Sequence, residues 1–423
     1  MRASSSDASA TAAKHDASLQ ADLDSSVMRV ARQPILDLNA RLVGYELLFR
    51  EPLTDTAGVL DDREATATVI VDGLLGVFDL VGESVAYLNV SRDFLLTLRP
   101  LPLPAGRVVL ELLEDQVVDE ELLEVLAELV EQGFTIALDD FRLTTATEQL
   151  LPHACIVKVD VLEHTGRALE ELVAHLRARR PPLTLVAEKV ETREEFEHCR
   201  ELGFERFQGN FFASPSRVRQ QRVPSQGLAA LSAMSDLNAT EDIDELHSII
   251  TRDAGLSMRL LRYANSAYVS LPRRAGSIHE ALVWLGGVTV RRFALMVALA
   301  SAADVPDVLL VTALVRARMC QLLCSAGGGP VGDSYFTVGL LSVADALADA
   351  PMEHVIDQFP FREDIAAALL HGSGELGELL TEVIAYQRGD FAGARELIGG
   401  HPDIEQIYRE ATMWADLGVS ELA

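Results

Sequence analysis

The fold turns on FTIALDDF, residues 134–141. Phe134 to Leu138 alternate and run apolar, as a buried strand does, and then two carboxylates stand side by side at Asp139 and Asp140. For this stretch alone two readings are open. The acids line a solvated loop or cap the next segment, or a strand presents them to a metal or a substrate. The neighbouring strands decide, because they end in the same way.

Working outward, VMRVARQPIL (27–36) and LVGYELLFR (42–50) read as strands joined by the polar turn DLNAR, an antiparallel hairpin. A helix is expected over about 63–80. Strands then follow at 84–90, 107–112, 134–138, 155–159 and 183–187, with a last one ending near Phe207. Between them helices are expected near Phe94 and over 119–132, 146–151, 168–179 and 193–202. Repeated strand–helix alternation implies a parallel sheet. The unit count is that of a compact (β/α)8-type barrel opened by a hairpin. A doubly wound sheet is the alternative, but no Gly-rich phosphate loop follows the first strand.

A chain of 423 residues is too long for one core. Residues 1–26 read as a disordered tail, 27–215 as the barrel, 216–227 (SRVRQQRVPSQG) as a linker and 228–423 as an all-helical domain, with leucine and alanine at helical spacing. The composition, 49% hydrophobic and 24% charged, is that of a soluble globular protein. No apolar run reaches the roughly 18 residues that span a bilayer, and no secretory signal opens the chain. Four cysteines make no disulfide framework, which suits a reducing cytoplasm. Cys320 and Cys324, on one helix face, are expected in the core. A net charge of −28 argues against duplex DNA as a partner. It leaves room for a small anion held by metals.

In a (β/α)8 barrel the C-terminal strand ends face one mouth. Here they carry Glu46, Asn89, Glu111, the Asp139–Asp140 pair, Lys158, Glu188 and Gln208. Packing alone explains polar strand ends, but not a majority of carboxylates. Their mutual repulsion in a confined mouth costs stability unless cations are bound. Carboxylates and an amide oxygen suit Mg²⁺ or Mn²⁺, and a lysine among them suits an anionic substrate or a water to be oriented. The reading is a divalent-metal site acting on a phosphate ester.

The ordered motifs LVGYELLFR, VAYLNVS, VVLELLE, IALDDF, IVKVD, VAEKVET and FQGNFF resemble those of EAL domains, cyclic di-GMP phosphodiesterases, over about 27–215. The resemblance implies two-metal hydrolysis of cyclic di-GMP to linear pGpG. It implies that Glu46, Asn89, Glu111 and Asp139 ligate the first metal and Asp140 the second, while Lys158 orients the attacking water and Glu188 acts as base or ligand. Glu191 would support that shell, Gln208 would stand beside it and Glu114 would tether the loop after the Asp pair. Arg50 is counted with the ligand-binding residues. Three departures stand out. Leu47, where the family has alanine, is expected to add bulk beside Glu46. Arg142 replaces a glycine and is expected to lack its backbone freedom. Lys189 replaces another glycine and is expected to pair with the site's acids in place of a metal.

Residues 248–299, SIITRDAGLSMRLLRYANSAYVSLPRRAGSIHEALVWLGGVTVRRFALMVAL, resemble an HDOD domain, best over 228–300, and the two-domain order resembles YuxH-type signalling proteins. HD enzymes hold metals with an adjacent His-Asp pair. From 228 onward none occurs, so His247, His279, His354, His371 and His401 are expected at the surface or in the core, with no metal in this half. The half reads as a module for a protein partner. Arg259, Arg262, Arg273, Arg274, Arg291 and Arg292 form either a solvated face or a partner or nucleotide surface. Trp284, before Gly286, reads as core at a helix end. Together these features point to cyclic di-GMP signalling with the barrel as sensor or scaffold. The alternative is an active Mg²⁺- or Mn²⁺-dependent phosphodiesterase. Membrane and direct nucleic-acid binding are not expected, and a homodimer is left open.

Overall fold

Eight strands close into a barrel in chain order: β1 (Arg29–Asp37), β2 (Leu42–Arg50), β3 (Val85–Val90), β4 (Val108–Leu112), β5 (Thr135–Leu138), β6 (Ile156–Asp160), β7 (Thr184–Glu188) and β8 (Arg206–Gln208). Strand β1 runs antiparallel to both its neighbours, β2 and β8, and every other pairing is parallel. The predicted hairpin is therefore part of the closure. This computed structural model describes residues 29–50, 78–113, 115–213, 243–252, 260, 264, 275, 277–300, 306–324, 330–358, 361–401 and 403–422. The expected tail, the 216–227 linker and most of the helix over 63–80 lie outside the described residues.

Strand alternation places every second side chain inside the barrel. Ile35, Tyr87, Val109, Ala137, Ile156 and Val186 form an apolar floor. Two residues further along the same parallel strands stand Asn89, Glu111, Asp139, Lys158 and Glu188. The polar ring thus sits one layer above the floor. Gly44 makes room for it: a β-carbon there would lie 2.8 Å from the Tyr87 ring and 2.7 Å from the Val85 carbonyl oxygen.

Helices α1 (Arg92–Thr97), α2 (Glu120–Glu131), α3 (Arg167–Arg177) and α4 (Arg193–Leu202) belong to the barrel half. The Asp119 carboxylate caps α2 by accepting from the Leu122 N–H at 3.0 Å. Leu122, Val125, Leu126 and Leu129, at helical spacing, bury its inner face, each worth roughly 1.5–3 kcal/mol. The helix expected over 146–151 is only a 3₁₀ turn, Thr147–Gln149. Pro152 disfavours helical backbone at the residue before it.

Every described element after the barrel half is helical: α5 (Ile243–Arg252), α6 (Ile278–Leu285), α7 (Gly287–Ala300), α8 (Asp307–Leu323), α9 (Pro330–Leu341), α10 (Ala344–Ala348), α11 (Met352–Gln358), α12 (Glu363–His371), α13 (Gly374–Gln387), α14 (Arg395–Gly400) and α15 (Ile404–Leu422). Helix α8 is buried on nearly every side, packed against α9 and α15. Cys320 and Cys324 are in the core, as expected. Ser277 caps α6, and Trp284 packs half-buried at its end. No described helix is long and apolar enough to cross a membrane.

The outer face of β1 docks on the last helices. The Arg32 guanidinium is buried, forks onto Asp416 of α15 with two bonds of 2.8 Å and lies 4.2 Å from the Tyr45 ring centre. The Arg32 N–H donates to the Tyr408 hydroxyl at 3.1 Å. Gly389, at φ 77°, abuts Leu48 so closely that a β-carbon has no room.

Candidate active site at the barrel mouth

Lys158 is the centre of the polar ring. Its Nζ lies 2.9 Å from Glu46, 3.0 Å from Glu111, 2.7 Å from Asp139 and 2.9 Å from Glu188. Its side chain and that of Glu111 are fully buried. A lysine has three N–H groups, so at least one of the four carboxylates is held by charge alone. The parallel ladder continues past β5 to place the Asp pair: Asp139 N–H donates to the Leu112 carbonyl and Phe141 N–H to the Lys158 carbonyl, both at 3.0 Å. Asn89 Nδ2 donates to Glu46 at 3.1 Å, and Gln208 Nε2 donates to Glu46 at 2.6 Å and to Gln33 at 2.9 Å.

The electrostatics follow from this crowding. Burial pushes Glu111 well above the ordinary carboxylate range, with Glu46 adding to it against Lys158. Burial likewise pushes Glu188 up to about 8 and raises Asp139, both opposed by Lys158. Glu46 goes the other way: Lys158 and the Gln208 amide outweigh its burial and lower it. Burial would depress the Lys158 ammonium, but Glu111, Glu46, Glu188 and Asp139 overcome that and raise it.

The donor set fits a hard divalent cation. Asn89 Oδ1, Glu111 Oε2 and Glu188 Oε2 are buried acceptors that find no hydrogen-bond donor among the described residues, and oxygen ligands of this kind suit Mg²⁺ or Mn²⁺. Among the described residues no three acidic, His or Cys side chains stand converged for an ion as they are. The cation the acids surround here is the Lys158 ammonium.

A second corner lies at the rim. Lys189 Nζ pairs with Asp160 Oδ2 and stands 3.7 Å from Asp140 Oδ1. Asp140 and Lys189 both adopt left-handed backbone, φ 41° and 58°. The loop bearing Lys189 is pinned from both sides. Val190 N–H donates to the Gln208 carbonyl at 3.0 Å, and the Thr192–Glu195 capping box of α4 also takes the Glu191 N–H.

The structure revises the three departures. Leu47 points away from Glu46 by strand alternation and is buried in the outer core, so its bulk is not beside the mouth. Arg142 is not among the residues with left-handed backbone; the strain sits at Asp140 instead. Its guanidinium pairs with Glu163 in the open, with Nη2 2.8 Å from one carboxylate oxygen. Lys189 does pair with acids, but with Asp160 and Asp140 rather than with the deep cluster.

Of the candidate residues, Glu46, Asn89, Glu111, Asp139, Lys158, Glu188 and Gln208 are brought together, and Asp140 stands at the rim. Glu191 is exposed and lines a cleft toward the helical half. The Arg50 side chain and all of Glu114 lie outside the described residues. Sequence reasoning missed Asp160 and Gln33. Both had a period-two signal, Asp160 two residues past Lys158 and Gln33 two before Ile35. Asp160 also has a structural duty, since its Oδ1 accepts from the Leu162 N–H at 2.7 Å. In the helical half, His247 and His279 meet edge to face at 6.2 Å. Arg292 lies over Phe336, while Arg259, Arg262, Arg273 and Arg274 lie outside the described residues.

A closed barrel with acids on its strand ends, continued by a helical half, defines the class. The EAL domain model matches residues 78–215 and the HDOD domain model residues 228–348. The chain is 32% identical over 396 residues to the cyclic di-GMP phosphodiesterase CdgJ of Vibrio cholerae serotype O1, across 91% of this chain and 92% of that one. It is 26% identical over 400 residues to the uncharacterized protein YuxH of Bacillus subtilis, across 91% and 97%. The solved Bacillus subtilis YkuI protein, with an EAL domain, aligns at a TM-score of 0.38 and 20% identity, over 63% of this chain and 74% of that one. This chain belongs to the family of two-domain EAL–HDOD proteins that includes CdgJ.

Proposed function

We propose that the barrel mouth is a divalent-metal phosphodiesterase site that opens cyclic di-GMP to pGpG, and that the helical half is its regulatory or partner-binding module. One observation carries the reading: four acids from separate strands converge in a buried mouth and retain acceptor atoms that no donor among the described residues satisfies. The name of the relative CdgJ supports the same substrate. Glu46, Asn89, Glu111 and Asp139 would hold a first ion, and Asp140 would face a second. Bound there, Mg²⁺ or Mn²⁺ supplies Lewis-acid polarisation of a phosphoryl oxygen and hydroxide near neutral pH. The chain's own residues do the rest. With an ion taking over the acids that now surround it, Lys158 would be freed to orient water beside Glu188, and the apolar floor closes the mouth from below. We assign residues 27–215 to the barrel and 228–423 to the helical half, and place the protein in the cytoplasm.

A second reading, a sensor or scaffold without turnover, is favoured by Lys189, whose ammonium stands where Asp140 would meet an ion. The experiment measures pGpG release from cyclic di-GMP with Mn²⁺ or Mg²⁺, for the full chain and for Asp139→Asn. Product well above the variant is the expected result. No product, with calorimetric binding of the nucleotide, leaves the sensor; neither product nor binding leaves a protein scaffold.

A further inference from the structure

A cleft of about 170 Å³ lies between the barrel and the helical half. Helix α8 lines it with one face, a valine stripe ending on Thr312 and Arg316, opposite Gln33 of β1 and Asn210 after β8. Arg316 is only 4% exposed. Its Nε donates to Gln387 at 2.8 Å and its Nη1 to Ser342 Oγ at 3.1 Å, both neutral acceptors. Nη2 makes no hydrogen bond, and no carboxylate pairs with Arg316 among the described residues. Arg388, exposed on the same wall, makes no ion pair among the described residues either.

This arrangement is unusual in a chain with 64 acids against 36 bases. Buried charges are ordinarily paired, and Arg32, in the same cleft, shows the ordinary solution in its fork onto Asp416. Arg316 instead has a second cation as its neighbour. Burial first, and then Arg388, hold its guanidinium down to about 10, and Asp345 offsets only part of that. Glu191 also lines the cleft. Two guanidiniums that line one cleft and repel each other, neither paired with a carboxylate among the described residues, call for an anion.

We propose that the cleft binds a small oxyanion, phosphate or the phosphate end of a phosphomonoester, clamped by Arg316 and Arg388 beside Gln33 and Asn210. The anion ties the helical half to the barrel one side chain from the mouth, because Gln33 accepts from Gln208 and Gln208 donates to Glu46. The site stands whether or not the mouth turns over substrate.

The test is calorimetric titration of the full chain with inorganic phosphate and then with 5′-GMP, in low-chloride buffer with a chelator to keep divalent ions from the mouth. Phosphate binding is expected, weakened at least tenfold by Arg388→Gln and by Arg316→Lys, and unchanged in Asp139→Asn. Tighter binding of 5′-GMP than of phosphate assigns a phosphomonoester; its exclusion assigns the free anion. Absence of phosphate binding, binding equal in both arginine variants, or loss in Asp139→Asn overturns the proposal. Should Arg316→Lys not fold, the exposed Arg388→Gln decides alone.

Discussion

Two lysines of the barrel mouth make the same kind of contact in different media. Lys158 rises from a regular strand, is fully buried and is ringed by four carboxylates. Lys189 stands at the rim, its side chain 51% exposed, on left-handed backbone beside Asp160 and Asp140. Between opposite charges at one separation, attraction grows several-fold as water is excluded, but so does the cost of leaving either charge alone. The deep lysine is therefore bound up with the integrity of the mouth. The rim lysine is a weak pair that affects what else the acids can hold. Depth, more than charge, separates the two.

Replacing Lys158 with methionine is the hardest test of that difference. It keeps the bulk and leaves four buried acids without their cation, so stability should fall by about 3–5 kcal/mol. Urea denaturation reads the loss directly. Adding Mn²⁺ should restore more stability to Lys158→Met than it adds to the parent chain, because the acids then have only the metal. An unchanged unfolding midpoint would erase the contrast between the polar ring and the rim.

The polar ring is legible in the sequence and the rim only in part. Glu46, Glu111, Asp139 and Glu188 each follow an apolar strand, and period-two alternation carries each to the inner face. Closure then brings them together without any further information. What alternation does not encode is the path after a strand ends. Arg142 in a glycine's place implies strain at that position, yet the left-handed residue is Asp140, two residues earlier. Leu47 looked like bulk beside the site, but its parity sends it outward. The cleft was illegible for a different reason. Arg32, Asp416, Arg316 and Arg388 come from distant segments, and only the docking of α15 and α13 on β1 makes them neighbours.

Lys189→Gly probes the rim. It removes a pair whose lysine is half exposed but whose Asp160 carboxylate is buried and keeps its Leu162 N–H bond, a loss of about 1 kcal/mol, and relieves left-handed strain of roughly similar size, so the unfolding free energy should move by less than about 1 kcal/mol. Metal binding should move more. Taking a cation from within 4 Å of Asp140 is worth on the order of 1 kcal/mol or more at this exposure, so Mn²⁺ affinity should rise roughly tenfold. Calorimetric titration checks it, and a gain in the second equivalent bound would be its clearest form. Unaltered Mn²⁺ binding would mean that Asp140 takes no part in holding ions, and that the polar ring and the rim are independent.

Arg142→Gly should do least of all. The side chain is 53% exposed and Glu163 43% exposed, so their pair is screened by water. The backbone at Arg142 does not require glycine's freedom, so restoring the family's residue relieves no strain; it adds unfolded-chain entropy costing at most about 1 kcal/mol. Mn²⁺ affinity and pGpG release should both stay at the parent's level. This smallest effect discriminates best between the two replaced glycines, since each introduces a cation near the Asp pair. If Arg142→Gly raised turnover while Lys189→Gly did not, the loop after Asp140 rather than the rim lysine would be what governs the second ion.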